Sequence, residues 1–66
     1  MQLKTDTVIK KFIIKVETIY SDNSKRIYVL NTVIEKLNNL NSKNANQKLI
    51  IEYIIESLKK KIESYN

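Results

Sequence analysis

Sixty-six residues with a net charge of +5 and no cysteine, histidine, glycine or proline make one small domain, residues 1–66, and exclude several chemistries at once. Disulfides are impossible, a zinc site lacks its thiolate and imidazole ligands, and no Ser-His or Cys-His nucleophile pair can be built. A chain this short buries only about 60% of the surface it exposes when unfolded, so close helix packing or a partner subunit must supply what a staple would.

Without glycine or proline, turns fall to Asn, Asp and Ser. Two clusters supply them, "SDNS" at Ser21–Ser24 and "NSKNAN" at Asn41–Asn46, and they divide the chain into three segments of helical periodicity. In the first, about 5–20, Val8, Ile9, Phe12, Ile13, Val16, Ile19 and Tyr20 share one face at about 100° per residue, and Ile14 sits off it, near Leu3. Thr5 or Asp6 is the expected N-cap, and Asp6 precedes Lys10 by one turn, the spacing of a helical ion pair. The rival is a β-hairpin over residues 12–30 around "SDNSK", since the flanks are β-branched and aromatic. Helix sorts apolar from polar better, because a strand would set Ile13 and Ile19 beside Lys15 and Glu17.

The second segment, about 23–40, places Ile27, Val29, Leu30, Val33, Ile34, Leu37 and Leu40 on one face and leaves Tyr28 outside it. Asp22 or Ser21 caps its start, with Asp22 paired to Arg26. The third, about 44–65, is the longest, with Asn44 or Ser42 as its cap. Ile50, Ile51, Ile54, Ile55, Leu58, Ile62 and Tyr65 cover one side, and Leu49 and Tyr53 extend the apolar arc to about 200°, where an ordinary surface helix shows little more than about 100°. Such a helix lies between two neighbours or meets another chain. Its opposite side carries Glu52, Glu56 and Glu63, with Glu56 one turn before Lys60.

Carboxylates are all that remain for catalysis or metal binding. Glu52 and Glu56 lie one turn apart, but the Glu-x-x-His partners of helical carboxylate sites are missing, and the chain looks too small to enclose a substrate pocket. A solvated acidic face beside Lys48, Lys59 and Lys60 accounts for them. No catalytic residue, cofactor or metal is expected.

The positive charge invites a nucleic-acid reading. Lys4, Lys11 and Lys15 form one stripe that could follow phosphates. Arg26 is the sole arginine, and Asn46, Gln47 and Lys48 would open a recognition helix in a helix-turn-helix reading. That helix turns broadly apolar from Leu49, however. Ile, Lys and Asn occur 11, 11 and 8 times and have A/T-rich codons, so a low-G+C genome, such as that of a phage or other mobile element, explains the lysines without selection for a basic surface.

The sequence therefore predicts an all-α fold, a compact three-helix bundle (about 5–20, 23–40, 44–65) that self-associates through the third helix. It predicts a small non-enzymatic interaction module: a regulator, adaptor or inhibitor of another protein, and a homo-oligomer with the dimer favoured. The candidate interface is Ile14, Tyr28, Leu49, Tyr53, Ile55 and Ile62. The alternative is a basic DNA- or RNA-binding regulator using Lys4, Lys11, Lys15, Arg26, Asn46, Gln47 and Lys48. No secretory leader or membrane span is legible. The first segment is basic and amphipathic, as interfacial helices are, but lacks tryptophan and needs its apolar face for the core. A cytoplasmic location without a membrane partner is the expectation.

Overall fold

Three amphipathic stretches uninterrupted by glycine or proline form three helices. The computed structural model describes residues 2–40 and 43–66, with side chains from Lys4 onward. Helix α1 spans Gln2–Ile19, α2 Asn23–Asn38 and α3 Ala45–Tyr65. Both arms of the rival hairpin are helical, and no strand occurs among the described residues. The expectations placed on the Leu3 side chain and on Asn41 and Ser42 lie outside the described residues.

The helix ends follow side-chain chemistry. Asp22 caps α2 by accepting the Ser24 N–H at 3.2 Å, and Asn44 caps α3 by accepting the Asn46 N–H at 2.8 Å; each occupies an orphan donor of a first turn. No described residue has a positive φ, so the α1–α2 connection manages without the left-handed conformation that glycine would provide. The first helix begins earlier than expected, at Gln2. Neither Thr5 nor Asp6 is its cap, and Asp6 instead sits inside the helix, where its carboxylate accepts the Tyr53 hydroxyl. The second ends earlier, because Asn38 and Asn39 are weak helix formers. The Asn39 N–H reaches both Glu35 O and Lys36 O at 3.2 Å, and the Leu40 N–H closes a tight turn onto Leu37 O. Leu40 thus lies past the helix and is exposed.

Hydrogen bonds between α1 and α3 give the topology. Asp6 meets Tyr53, and Glu17 meets Tyr65. Partner numbers rise together, so α1 and α3 run parallel, and α2 returns antiparallel. Helix α3 packs most extensively on α2, next on α1, and α1 and α2 touch least. At about 1.5 Å per residue, the 21 residues of α3 nearly span the 36 Å length of the molecule.

Each helix contributes two buried residues to the core: Ile9 and Val16, Leu30 and Ile34, Ile55 and Leu58. Leu30 and Leu58 are sealed completely, at 0% and 1% exposure. Half-buried Phe12, Ile13, Val33, Ile51, Ile54 and Ile62 pack around them. Val8 and Ile19, expected to face inward, lie at the margin of α1's apolar arc and are exposed, because α2 and α3 cover only its centre.

Candidate interaction face

The α1–α3 seam is closed by two tyrosine–carboxylate pairs. At one end the Tyr65 hydroxyl donates to Glu17 Oε2 at 2.5 Å, and Lys61 Nζ lies 3.4 Å from the same oxygen. Above the Tyr65 ring, Lys61 Nζ sits 5.3 Å and the Arg26 guanidinium 5.7 Å from the centroid, within cation–π range. Arg26 also donates from Nε to Tyr20 O at 2.6 Å, from Nη2 to Glu17 O at 3.1 Å, and from Nη1 to Asn23 Oδ1 at 3.1 Å. A fixed guanidinium fork thereby serves orphan carbonyls at the end of α1, where a cation also suits the helix dipole. The Tyr65 hydrogen bond, then Lys61 and Arg26, hold the Glu17 carboxyl below its ordinary range against the opposing effect of burial. Burial first, and the Glu17 carboxylate second, push Tyr65 up to about 12.

At the other end of the seam stands Tyr53 on Asp6 alone. That hydrogen bond, and burial after it, raise the Tyr53 hydroxyl above its ordinary value. Tyr53 is 37% exposed, and its α3 neighbours Leu49 and Ile50 are 63% and 44% exposed. Ile14, 61% exposed, lies about 60–80° around α1 from Glu17 and Asp6, on the side away from the buried Ile9 and Val16. Moving outward from the core, both helices present the same sequence of surfaces. First come the seam residues, then a low-charge strip, then charge. The strip is Thr7, Ile14 and Thr18 on α1, and Ile50, Tyr53 and Leu49 with Asn46, Ser57 and Ser64 on α3. Lys10, between Glu17 and Ile14, and Lys60, between Tyr53 and Leu49, are the two charges within it. Beyond it α1 carries Lys4, Lys11 and Lys15, whereas α3 carries Glu52, Glu56 and Glu63.

Most hydroxyls of this strip are already bonded within the protomer. Thr18 donates to Ile14 O at 2.8 Å, Ser57 to Tyr53 O at 3.0 Å, Ser64 to Lys61 O at 2.6 Å, and Tyr53 to Asp6. A polar group that already has its partner costs little to cover.

The structure divides the residues singled out in the sequence. Ile14, Leu49 and Tyr53 come together on the α1–α3 face. Ile55 does not belong there: it is 7% exposed and part of the core, because α2 takes up that edge of the broad α3 arc. Ile62 is half-buried against the same core. Tyr28 is 72% exposed on the outer side of α2, away from the face.

Among the nucleic-acid candidates, Lys4, Lys11 and Lys15 are exposed on the outer flank of α1. Arg26 is not part of that surface, since its guanidinium is turned onto the α1 carbonyls. Asn46, Gln47 and Lys48 are exposed on the first turn of α3, about 100° apart in succession, and do not extend the lysine stripe. The Asp6–Lys10, Asp22–Arg26 and Glu56–Lys60 ion pairs do not form; the ion pair among the described residues is Lys61–Glu17. No group of three or more His, Cys, Asp or Glu capable of holding a metal occurs among the described residues, and none of the helices is long and apolar enough to cross a membrane.

The seam pairings Asp6–Tyr53 and Glu17–Tyr65 escaped the sequence reading because the partners are 47 and 48 residues apart. For Arg26 a signal existed: an α1 that ends without glycine needs donors for its last carbonyls, and an arginine follows within one turn of the next cap. No protein-family model, no curated protein and no solved structure matches this chain.

Proposed function

We propose that this chain is a small non-enzymatic helical interaction module, a regulator, adaptor or inhibitor that presents its α1–α3 face to an apolar protein surface, beginning with a second copy of itself. One observation carries this reading: exposed Ile14, Leu49, Ile50 and Tyr53 share a low-charge strip whose hydroxyls are bonded internally, in a chain that is 29% charged overall. Scattered exposed apolar residues are ordinary, but a grouped set with a polar rim is how contact surfaces are built. A stable interface takes about 800 Å² per partner, roughly a seventh of the 5358 Å² protomer surface, and one face of a two-helix layer is of that order.

Sedimentation equilibrium from low to high micromolar concentration tests the reading. The wild-type chain is expected to dimerise. The Ile14→Lys, Leu49→Lys double variant is expected to stay monomeric, and at concentrations too low for dimerisation to keep the wild-type thermal melt, since both positions are exposed. A wild-type monomer at high micromolar concentration overturns the proposal. Labelled duplex DNA at about 50 mM salt provides the counter-test. Salt-sensitive binding that is lost in the Lys11→Glu, Lys15→Glu variant would replace this reading with the nucleic-acid one.

A further inference from the structure

We infer that the dimer is a parallel one, its twofold axis running along the bundle, so that α1 of each protomer lies over α3 of the other and Lys4 and Lys15 pair with Glu52 and Glu63 across the interface. This rests on the self-association proposed above and assigns its partner surface and register.

The argument starts from the two flanks. The strip is bordered on the α1 side by Lys4, Lys11 and Lys15 and on the α3 side by Glu52, Glu56 and Glu63, with Lys59 and Lys48 beyond the glutamates, all exposed. Both carboxylates of α1, Asp6 and Glu17, are turned into the seam and taken by Tyr53 and Tyr65. The flank of α1 is left purely cationic for this reason. None of these lysines or glutamates is ion-paired among the described residues. They stand at the edges of an apolar strip, as charged residues do beside a coiled-coil seam, where they set partner and orientation.

Two copies can meet symmetrically through this face in two ways. A twofold axis across the helices lays α1 on α1 and α3 on α3, antiparallel, and brings lysine flank to lysine flank and glutamate flank to glutamate flank. An axis along the helices exchanges left and right, so that each lysine flank meets the partner's glutamate flank. Like charges brought together oppose association and opposite charges favour it, so the second arrangement is selected.

The register then follows without adjustment. Rotation about an axis parallel to the helices leaves every residue at its own height. The seam bonds fix which residues of α1 and α3 share a height, at an offset of 47 to 48. Lys4 is level with Glu52, and Lys15 with Glu63. Lys11, at the same offset, is level with Leu58 and Lys59, so it opposes the pairing that Lys4 and Lys15 support.

Charge reversal tests the pairing by sedimentation equilibrium, with thermal melts confirming that each variant folds. Lys4→Glu with Lys15→Glu makes one variant, and Glu52→Lys with Glu63→Lys the other. Each alone is expected to dimerise at least about tenfold more weakly than wild type, since four cross-interface pairs change from attractive to repulsive. An equimolar mixture is expected to form a heterodimer of wild-type affinity, because every pair is then complementary. The first variant is the stringent arm. Two reversals of two units each take the net charge from +5 to +1, which by itself favours association. If the wild type dimerises and this variant dimerises equally tightly, the parallel pairing is wrong while self-association stands. If the wild type is monomeric, both proposals fall.

Discussion

Asp6–Tyr53 and Glu17–Tyr65 are the same chemical pair placed at the two ends of one seam, yet they have become different things. The Glu17–Tyr65 end is closed. Lys61 shares the carboxylate, Arg26 and Lys61 cover the ring, and the Arg26 fork ties the end of α1 to the start of α2. The Asp6–Tyr53 end is bare, with no cation over the ring among the described residues and with exposed Leu49 and Ile50 beside it. A tyrosine–carboxylate bond alone aligns two helices; a network of cations around it converts alignment into closure. What surrounds the pair decides whether that part of the surface is spent on the fold or stays exposed.

Three perturbations break or sharpen this contrast. The largest effect is expected from Leu58→Ala, which removes support from both ends together. Leu58 is one of two fully sealed side chains, and such truncations cost about 2–4 kcal/mol, enough to unfold much of a domain this small. A circular-dichroism melt shifted by only a few degrees would mean that the six-residue core is not what holds the helices together.

Arg26→Ala comes next and acts on the closed end alone. Losing the fork strands the carbonyls of Glu17 and Tyr20 and uncovers Tyr65, an expected cost of about 1–2 kcal/mol by urea denaturation. The affinity of the proposed dimer should not change, since Arg26 lies off the α1–α3 face. A variant that folds as stably as wild type would show that α1 is capped adequately by water.

The smallest effects separate the two tyrosines. Tyr65→Phe is expected to cost about 1 kcal/mol, and Tyr53→Phe to leave the melt unchanged. Their pH dependence differs in the same sense. Tyr65 is raised from 10.0 to about 12 in the folded chain, so the stability it contributes is fully present below pH 10 and is lost as pH rises from there towards 12. Glu17 is lowered from 4.5, so its contribution is present above that value and is lost as pH falls through the lowered one. Melts across pH should therefore fall away at both extremes, and Tyr65→Phe should flatten the alkaline limb. An unaltered alkaline limb would mean that burial and Glu17 together do not keep the Tyr65 hydroxyl protonated.

Much of the fold was legible because its causes are local. The wide apolar arc of the third segment called for two neighbours or for another chain; α2 and α1 pack on α3, and Leu49, Ile50 and Tyr53 stay exposed. Asp22 and Asn44 cap because a short polar side chain before an apolar run satisfies a first-turn N–H whatever lies further off. Chain-end positions read less well. The first helix begins at Gln2 because nothing in its first residues breaks a helix, and a cap motif at Thr5 or Asp6 was not needed to start one. Of the candidate interface residues, Ile14 stood out because it lies outside its helix's core arc, and Leu49 and Tyr53 because they widen that of the third helix; all three are exposed. Ile55 was misplaced because an arc of 200° does not say which of its edges a neighbour will cover.

By itself, then, the sequence determined three helices, the caps of the second and third, the lack of thiol and imidazole groups and the apolar surplus of the third helix, since these depend on residue type and spacing along one helix. Only the tertiary structure decided that α1 and α3 run in parallel, that Arg26 serves a backbone instead of a ligand, and that the α1 carboxylates face inward and leave its outer flank to lysine. Those features join residues as far apart as 48 positions. Periodicity fixes the angle of a residue on its own helix, but the angle between two helices is set by packing around the six buried side chains they share.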